Sequence, residues 1–105
     1  MKVSSSYMGK NKKMSVEVIN CKKIKDRDDL YSKLAEKLSF PDYFGKNLDA
    51  LFDVLTDPSV TGEKTILAFV FSSALEQSLG DYAERVIRTL EDADYESENF
   101  KFLRY

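Results

Sequence analysis

Between Thr65 and Ser72 the chain reads "TILAFVFS", a run without a single charge, rich in β-branched and aromatic residues. It is of strand length and far short of the ~20 residues that cross a bilayer. A continuous apolar run of this kind suits a strand buried on both faces, the usual situation in a parallel sheet. Parallel neighbours cannot be joined by a tight turn, so the segments between strands must be crossovers, usually helices. Two further segments supply the neighbours. "MSVEVINC" from Met14 to Cys21 places Val16, Val18 and Ile19 in a strand-like pattern. "NFKFLRY" from Asn99 to Tyr105 alternates Phe100 and Phe102 or Leu103 against Lys101 and Arg104.

The intervening segments carry helical periods. In "CKKIKDRDDLYSKLAEKLSF", Asp26 or Asp28 serves as a cap, and Leu30, Tyr31, Leu34, Ala35 and Leu38 form one apolar stripe. Pro41 ends that helix by disfavouring helical geometry at Phe40. Gly45 and Asn47 mark a turn, with Asn47 the best N-cap for a helix burying Leu48, Leu51, Phe52 and Leu55. "DPSVTGEK" reads as a loop, and a last helix near Leu79 to Asp94 turns Tyr82, Val86, Ile87 and Leu90 inward. The order β-α-α-β-α-β predicts an α/β fold with a small parallel sheet packed against helices. One domain is expected over residues 14–105, preceded by a flexible basic extension over residues 1–13, with Met14 a second candidate start.

Composition removes several function classes. Without any histidine the chain lacks the commonest general base, the commonest transition-metal ligand and the histidine-based triads. Cys21 is the single cysteine, so no internal disulfide is possible, and its place after a strand marks it as a packing residue. The N-terminus has no apolar signal region, which makes a cytoplasmic location the default, and no run is long enough for a membrane span. The net charge of −2 conceals a division: residues 1–27 hold eight basic side chains against two acidic ones, and residues 28–105 hold eight against sixteen. Such a division shapes partner choice more than it shapes fold. The basic segment has only Tyr7 interleaved with its lysines and no Arg-rich helix, which fits a solubilising tail better than a nucleic-acid site.

The informative anomaly is the helix after Asn47. Asp49 and Asp53 stand four residues apart, Asp42 precedes them, Asp57 follows, and only Lys46 is near to balance them. Like charges at this spacing repel by about 0.2–0.5 kcal/mol. Asp49 is explained by the first-turn dipole, worth about 0.3–1 kcal/mol, but Asp53 lies a turn further on. Phe52 adds an aromatic at the edge of the apolar stripe beside Asp53, a combination typical of binding surfaces. The residues alone leave three readings open: a solvated acidic face, an interaction face, and a metal or acid–base site. The last is weakest, because no calcium-loop spacing and no sugar-stacking tryptophan accompany the carboxylates.

The segment "FPDYFGKNLDALFDVLTD" resembles the corresponding segment of the barstar family, intracellular inhibitors of a secreted guanyl-specific bacterial ribonuclease. The pattern is carried by Pro41, Asp42, Tyr43, Phe44, Gly45, Asn47, Leu48, Asp49, Ala50, Leu51, Phe52 and Asp53. Weaker likeness runs through "VEVINCKKIKDRDDLYSKLAEKL", "VIRTLEDA" and "NFKFLRY". The resemblance implies a three-stranded parallel sheet with three to four helices, no catalytic residues, no cofactor and no metal. It implies a bacterial immunity role, with one extracellular-type ribonuclease bound 1:1 through its basic active site, no direct nucleic acid, no membrane, and a monomer when free. By the same resemblance Asp53 is the central anchor and Asp49 its neighbour, both standing in for RNA phosphates. Tyr43 and Phe52 form the aromatic flank, Gly45, Asn47 and Thr56 lie near the contact, and Asp92 is an acidic contact on the last helix. Phe52 stands where the family usually has Trp, Asp92 stands for a Glu, and "DPSVTGEK" replaces a shorter loop. These departures keep open an interaction module of the same family whose partner is not a ribonuclease.

Overall fold

The computed structural model describes residues 14–105, so the extension expected over residues 1–13 lies outside the described residues. Three strands, β1 (Met14–Asn20), β2 (Lys64–Val70) and β3 (Phe100–Arg104), form one parallel sheet in the order β1-β2-β3. Helices α1 (Arg27–Leu38), α2 (Leu48–Leu55) and α3 (Pro58–Thr61) lie between β1 and β2 in the chain. Helices α4 (Leu75–Leu79) and α5 (Tyr82–Glu96) lie between β2 and β3. The architecture is the expected α/β one, with five α-helices among the described residues where three to four were expected.

Register fixes which side chains share a face. Met14 pairs with Lys64, Glu17 with Leu67, Ile19 with Phe69, and Leu67 with Phe102. One face therefore carries Ile19, Leu67, Phe69, Phe100 and Phe102, all buried. Phe69 and Phe102 meet edge to face with ring centroids 5.2 Å apart. The other face carries Met14, Val16 and Val18, which remain exposed along the edge strand β1. The expectation that the apolar run is buried on both faces thus holds for Leu67, Ala68 and Phe69 but not for Ile66 and Val70, which are half-buried.

The helices supply the rest of the core: Leu30, Tyr31, Leu34 and Leu38 from α1, Leu51, Val54 and Leu55 from α2, and Val86, Ile87, Leu90 and Ala93 from α5. Of the two candidate caps, Asp26 begins α1, accepting from the Asp29 N–H at 2.8 Å. Asp29 in turn binds Lys33 at 2.7 Å and accepts from the Lys25 N–H at 2.9 Å, and these contacts hold its carboxyl below the usual range. The end of α1 precedes Pro41. Ser39 takes the left-handed conformation at φ 56, and the Phe40 N–H returns to the Ala35 carbonyl.

Two expectations are corrected. "DPSVTGEK" is not all loop, because Asp57 accepts from the Ser59 N–H and hydroxyl while Pro58 occupies the first turn of α3. The helix expected near Leu79 to Asp94 is α5, which starts only at Tyr82, after Gly80, whose φ of 60 a side chain rarely adopts, and the short α4 before it was not expected. Cys21 is a core residue as expected, 1% exposed, and burial pushes its thiol up to about 11. Among the described residues no helix is long and apolar enough to cross a membrane, and no cluster of three acidic or sulfur side chains is placed to hold a metal.

Candidate partner-binding site

The loop from Ser39 to Asn47 is organised by its aromatics. Phe44 packs on Phe40 at 4.8 Å and on Tyr31 at 5.9 Å between ring centroids, and its N–H bonds the Pro41 carbonyl at 3.0 Å. Tyr31 is fully buried and its hydroxyl lies 2.5 Å from that of Tyr82, so burial and this hydrogen bond raise its pKa well above the usual phenol range. With Phe44 anchored inward on this rigid wall, the neighbouring Tyr43 is left 79% exposed. The sequence offered adjacent aromatics without saying which is anchor and which is presented. The packing decides it.

Lys46 sits at φ 51, and its ammonium reaches back to α1, 3.1 Å from Asp28 and 3.2 Å from the Ser32 hydroxyl. Asn47 caps α2, its Oδ1 accepting from the Ala50 N–H at 2.7 Å while its Nδ2 donates to the Gly45 carbonyl at 3.2 Å. Gly45 and Asn47 thus build the entrance to α2. A Cβ on Gly45 would stand 3.4 Å from Ala50 Cβ and Asn47 Nδ2, which is van der Waals contact.

Helix α2 is two turns long and divides cleanly. Leu51, Val54 and Leu55 are buried, with Val54 joining the residues expected there, while Leu48 and Phe52 pack against the core from its rim. Asp49, Phe52, Asp53 and Thr56 recur at the spacing that places them along one stripe. Asp49 and Asp53 are exposed. Among the described residues neither carboxylate receives a hydrogen bond or an ion pair, nor does that of Asp42. Thr56 closes the helix, its hydroxyl donating to the Phe52 carbonyl at 2.9 Å. Asp57 is occupied as the cap of α3 and belongs to the scaffold.

The matching positions from Tyr43 to Thr56 follow one another in the chain, and Asp92 on α5 shares a cavity with Leu48 at the start of α2. Helices α2 and α5 are in contact, and a cavity of about 410 Å³ between them is lined by Leu48, Glu84, Arg85, Arg88, Thr89 and Asp92. Leu48, the α2 residue of that cavity, immediately precedes Asp49 in the chain. The arginines of this cavity were not singled out from the sequence. The only signal was their spacing from Asp92 along α5.

An exposed stripe of unpaired carboxylates near an exposed tyrosine has the chemistry to meet cations. Comparison with known proteins identifies the family. Residues 14–104 match the family described as Barstar (barnase inhibitor). The chain belongs to the barstar family. The match covers every strand and helix described above. A Bacillus subtilis (strain 168) protein carrying the name "Putative ribonuclease inhibitor YrdF" is 40% identical over 78 residues, which span 70% of this chain and 80% of that protein. The parallel sheet of β1, β2 and β3 with helices packed on it is the barstar-like fold expected from the motif.

Proposed function

We propose that this protein inhibits a ribonuclease by pressing α2 and the loop before it into the enzyme's basic active site. Asp53 and Asp49 take the positions of RNA phosphates, and Tyr43 and Phe52 cover the flank. Gly45, Asn47 and Thr56 shape the contact, and Asp92 adds a carboxylate from α5. The observation that carries this reading is that Asp49 and Asp53 are exposed one turn apart with no internal partner, while the nearby Lys46 is committed to Asp28. Carboxylates left hydrated and unpaired lose little internally when a guanidinium or ammonium replaces the water, and a complete charge-assisted pair is strong. Family membership and the name of the Bacillus relative support a ribonuclease as the target. The finer reading is a secreted, guanyl-specific nuclease held 1:1 by a monomeric inhibitor in the cytoplasm of its producer, an immunity role that involves neither cofactor nor catalysis.

Calorimetric titration against a purified guanyl-specific secreted ribonuclease tests this, with Asp53→Ala alongside. The expected result is tight 1:1 binding that Asp53→Ala weakens strongly and that weakens further as salt rises. Undiminished inhibition by a folded Asp53→Ala protein overturns the role of Asp53. Absence of binding by the wild type to such nucleases favours a different partner for the same face, a reading motivated by Phe52 in place of an indole and by α3 in place of a shorter loop.

A further inference from the structure

Arg88 shares the cavity between α2 and α5 with Asp92, the carboxylate proposed to join the contact from α5. It lies on α5 four residues from Glu84 on one side and from Asp92 on the other, and with both it lines the 410 Å³ cavity whose α2 wall is Leu48. Among the described residues its one ion pair is with Glu84, at 3.6 Å between side chains 71% and 81% exposed, which is long and solvent-screened. Arg85, on the same cavity, turns its guanidinium toward the Tyr82 ring at 5.6 Å, and the Thr89 hydroxyl donates to the Arg85 carbonyl at 2.9 Å. Arg88 is thus the weakly held cation of the cavity, with a planar fork free to take a second carboxylate.

A partner that engages Asp92 together with Asp49 and Asp53, as proposed above, comes against this cavity, because Asp92 and Arg88 both line it. There its cations would meet Arg88. We propose that Arg88 is a specificity-determining residue that requires a carboxylate on the partner beside its basic site, and that rejects partners presenting Lys or Arg there. This rests on the proposed ribonuclease-inhibiting face and names a feature of the partner that the acidic stripe alone does not. Selectivity of this kind combines an attraction with a built-in repulsion.

The general field and the specific contact predict opposite signs, which makes the test decisive. Arg88→Glu makes the protein more negative, so steering alone would speed and tighten binding to a basic site. A carboxylate opposite Arg88 makes the same change weaken binding, by roughly three- to tenfold, with Arg88→Gln between the two. The experiment is surface-plasmon binding of wild type, Arg88→Gln, Arg88→Glu and Asp53→Ala to the guanyl-specific ribonuclease bound best by the wild type, after thermal melts confirm folding. Weakening by both Arg88 variants is the expected result. Unchanged or tighter binding by Arg88→Glu, with Asp53→Ala still impaired, overturns the role of Arg88 and leaves the inhibitor reading standing. Failure of the wild type to bind overturns that reading and this inference with it.

Discussion

Lys46 gives its charge to Asp28, 3.1 Å away on α1, and not to Asp42 or Asp49, the carboxylates nearest to it in sequence, nor to Asp53. The one cation within the acidic segment is thereby used to fasten the loop to α1, and the face beyond it stays uniformly negative. Replacing Lys46 with Ala removes an exposed pair and should cost less than about 1 kcal/mol of stability. Association with a basic partner should be no slower than wild type and faster at low salt, because a repelling charge has gone. Stopped-flow mixing at two salt concentrations checks this, and slower association would mean that Lys46 itself touches the partner.

Gly45 and Gly80 separate a contact role from a backbone role. Gly80→Ala meets no atom within 4 Å but forces a side chain into φ 60, so it should cost about 1 kcal/mol. Gly45→Ala meets ordinary contacts at 3.4 Å and carries no such backbone demand. It should melt within a few degrees of wild type and, on the contact role proposed for Gly45, weaken partner binding. Paired melting and titration of the two variants decide the matter, and a large melting shift for Gly45→Ala would make it a structural glycine.

Asn47 belongs to both the fold and the face. Removing its cap by Asn47→Ala should cost about 1 kcal/mol, or a melting shift of roughly 4–8 °C for a domain of this size. Asn47→Asp keeps an acceptor for the Ala50 N–H and should melt close to wild type. If Asn47→Ala melted unchanged, the 2.7 Å bond would contribute nothing and the residue would be there for the partner alone.

Cys21 is buried, and its thiol is pushed up to about 11 by desolvation. The folded state holds this proton more tightly than the unfolded chain, whose thiols titrate near ~8.5. Its contribution to stability is therefore intact below that value and is lost progressively as pH rises toward about 11. Urea unfolding at pH 8 and pH 10 should show a smaller decline for Cys21→Ala than for wild type. A disulfide-exchange reagent should label wild-type Cys21 at pH 8 only as fast as the protein opens.

Periodicity carried most of the fold into view. The charge-free run of β2, the stripe of α1 and the Asn47 cap of α2 are all local signals, and each was readable before any packing was known. The helix α3 was missed because four residues hold no apolar period, although the Asp57–Pro58 pair is a helix start. Helix α4 was missed because five residues are too few to show a helical period, and α5 was begun too early because a glycine near a helix end does not announce a positive φ. At the site, the stripe of Asp49 and Asp53 was legible because it lies on one helix. The pairing of Lys46 with Asp28, the choice of Phe44 over Tyr43 as anchor, and the approach of Arg88 to Leu48 were not. Each joins residues from different elements, and only packing creates that adjacency.

The strand register carries one more consequence, for the order of assembly. Every β1–β2 pair joins residues fifty positions apart, as Met14 with Lys64 shows, and β3 reaches β2 across thirty-five, as Phe100 with Thr65 shows. No strand has a partner nearby in the chain, so the sheet cannot nucleate from a hairpin and must wait for long loops to close. Chains dominated by such distant pairings fold slowly for their size. A chain cut before Phe100 would lack two buried aromatics of the sheet, Phe100 and Phe102, although the whole acidic stripe lies upstream. The stripe is encoded in one short segment, but it is held in place only once the far end of the chain has docked.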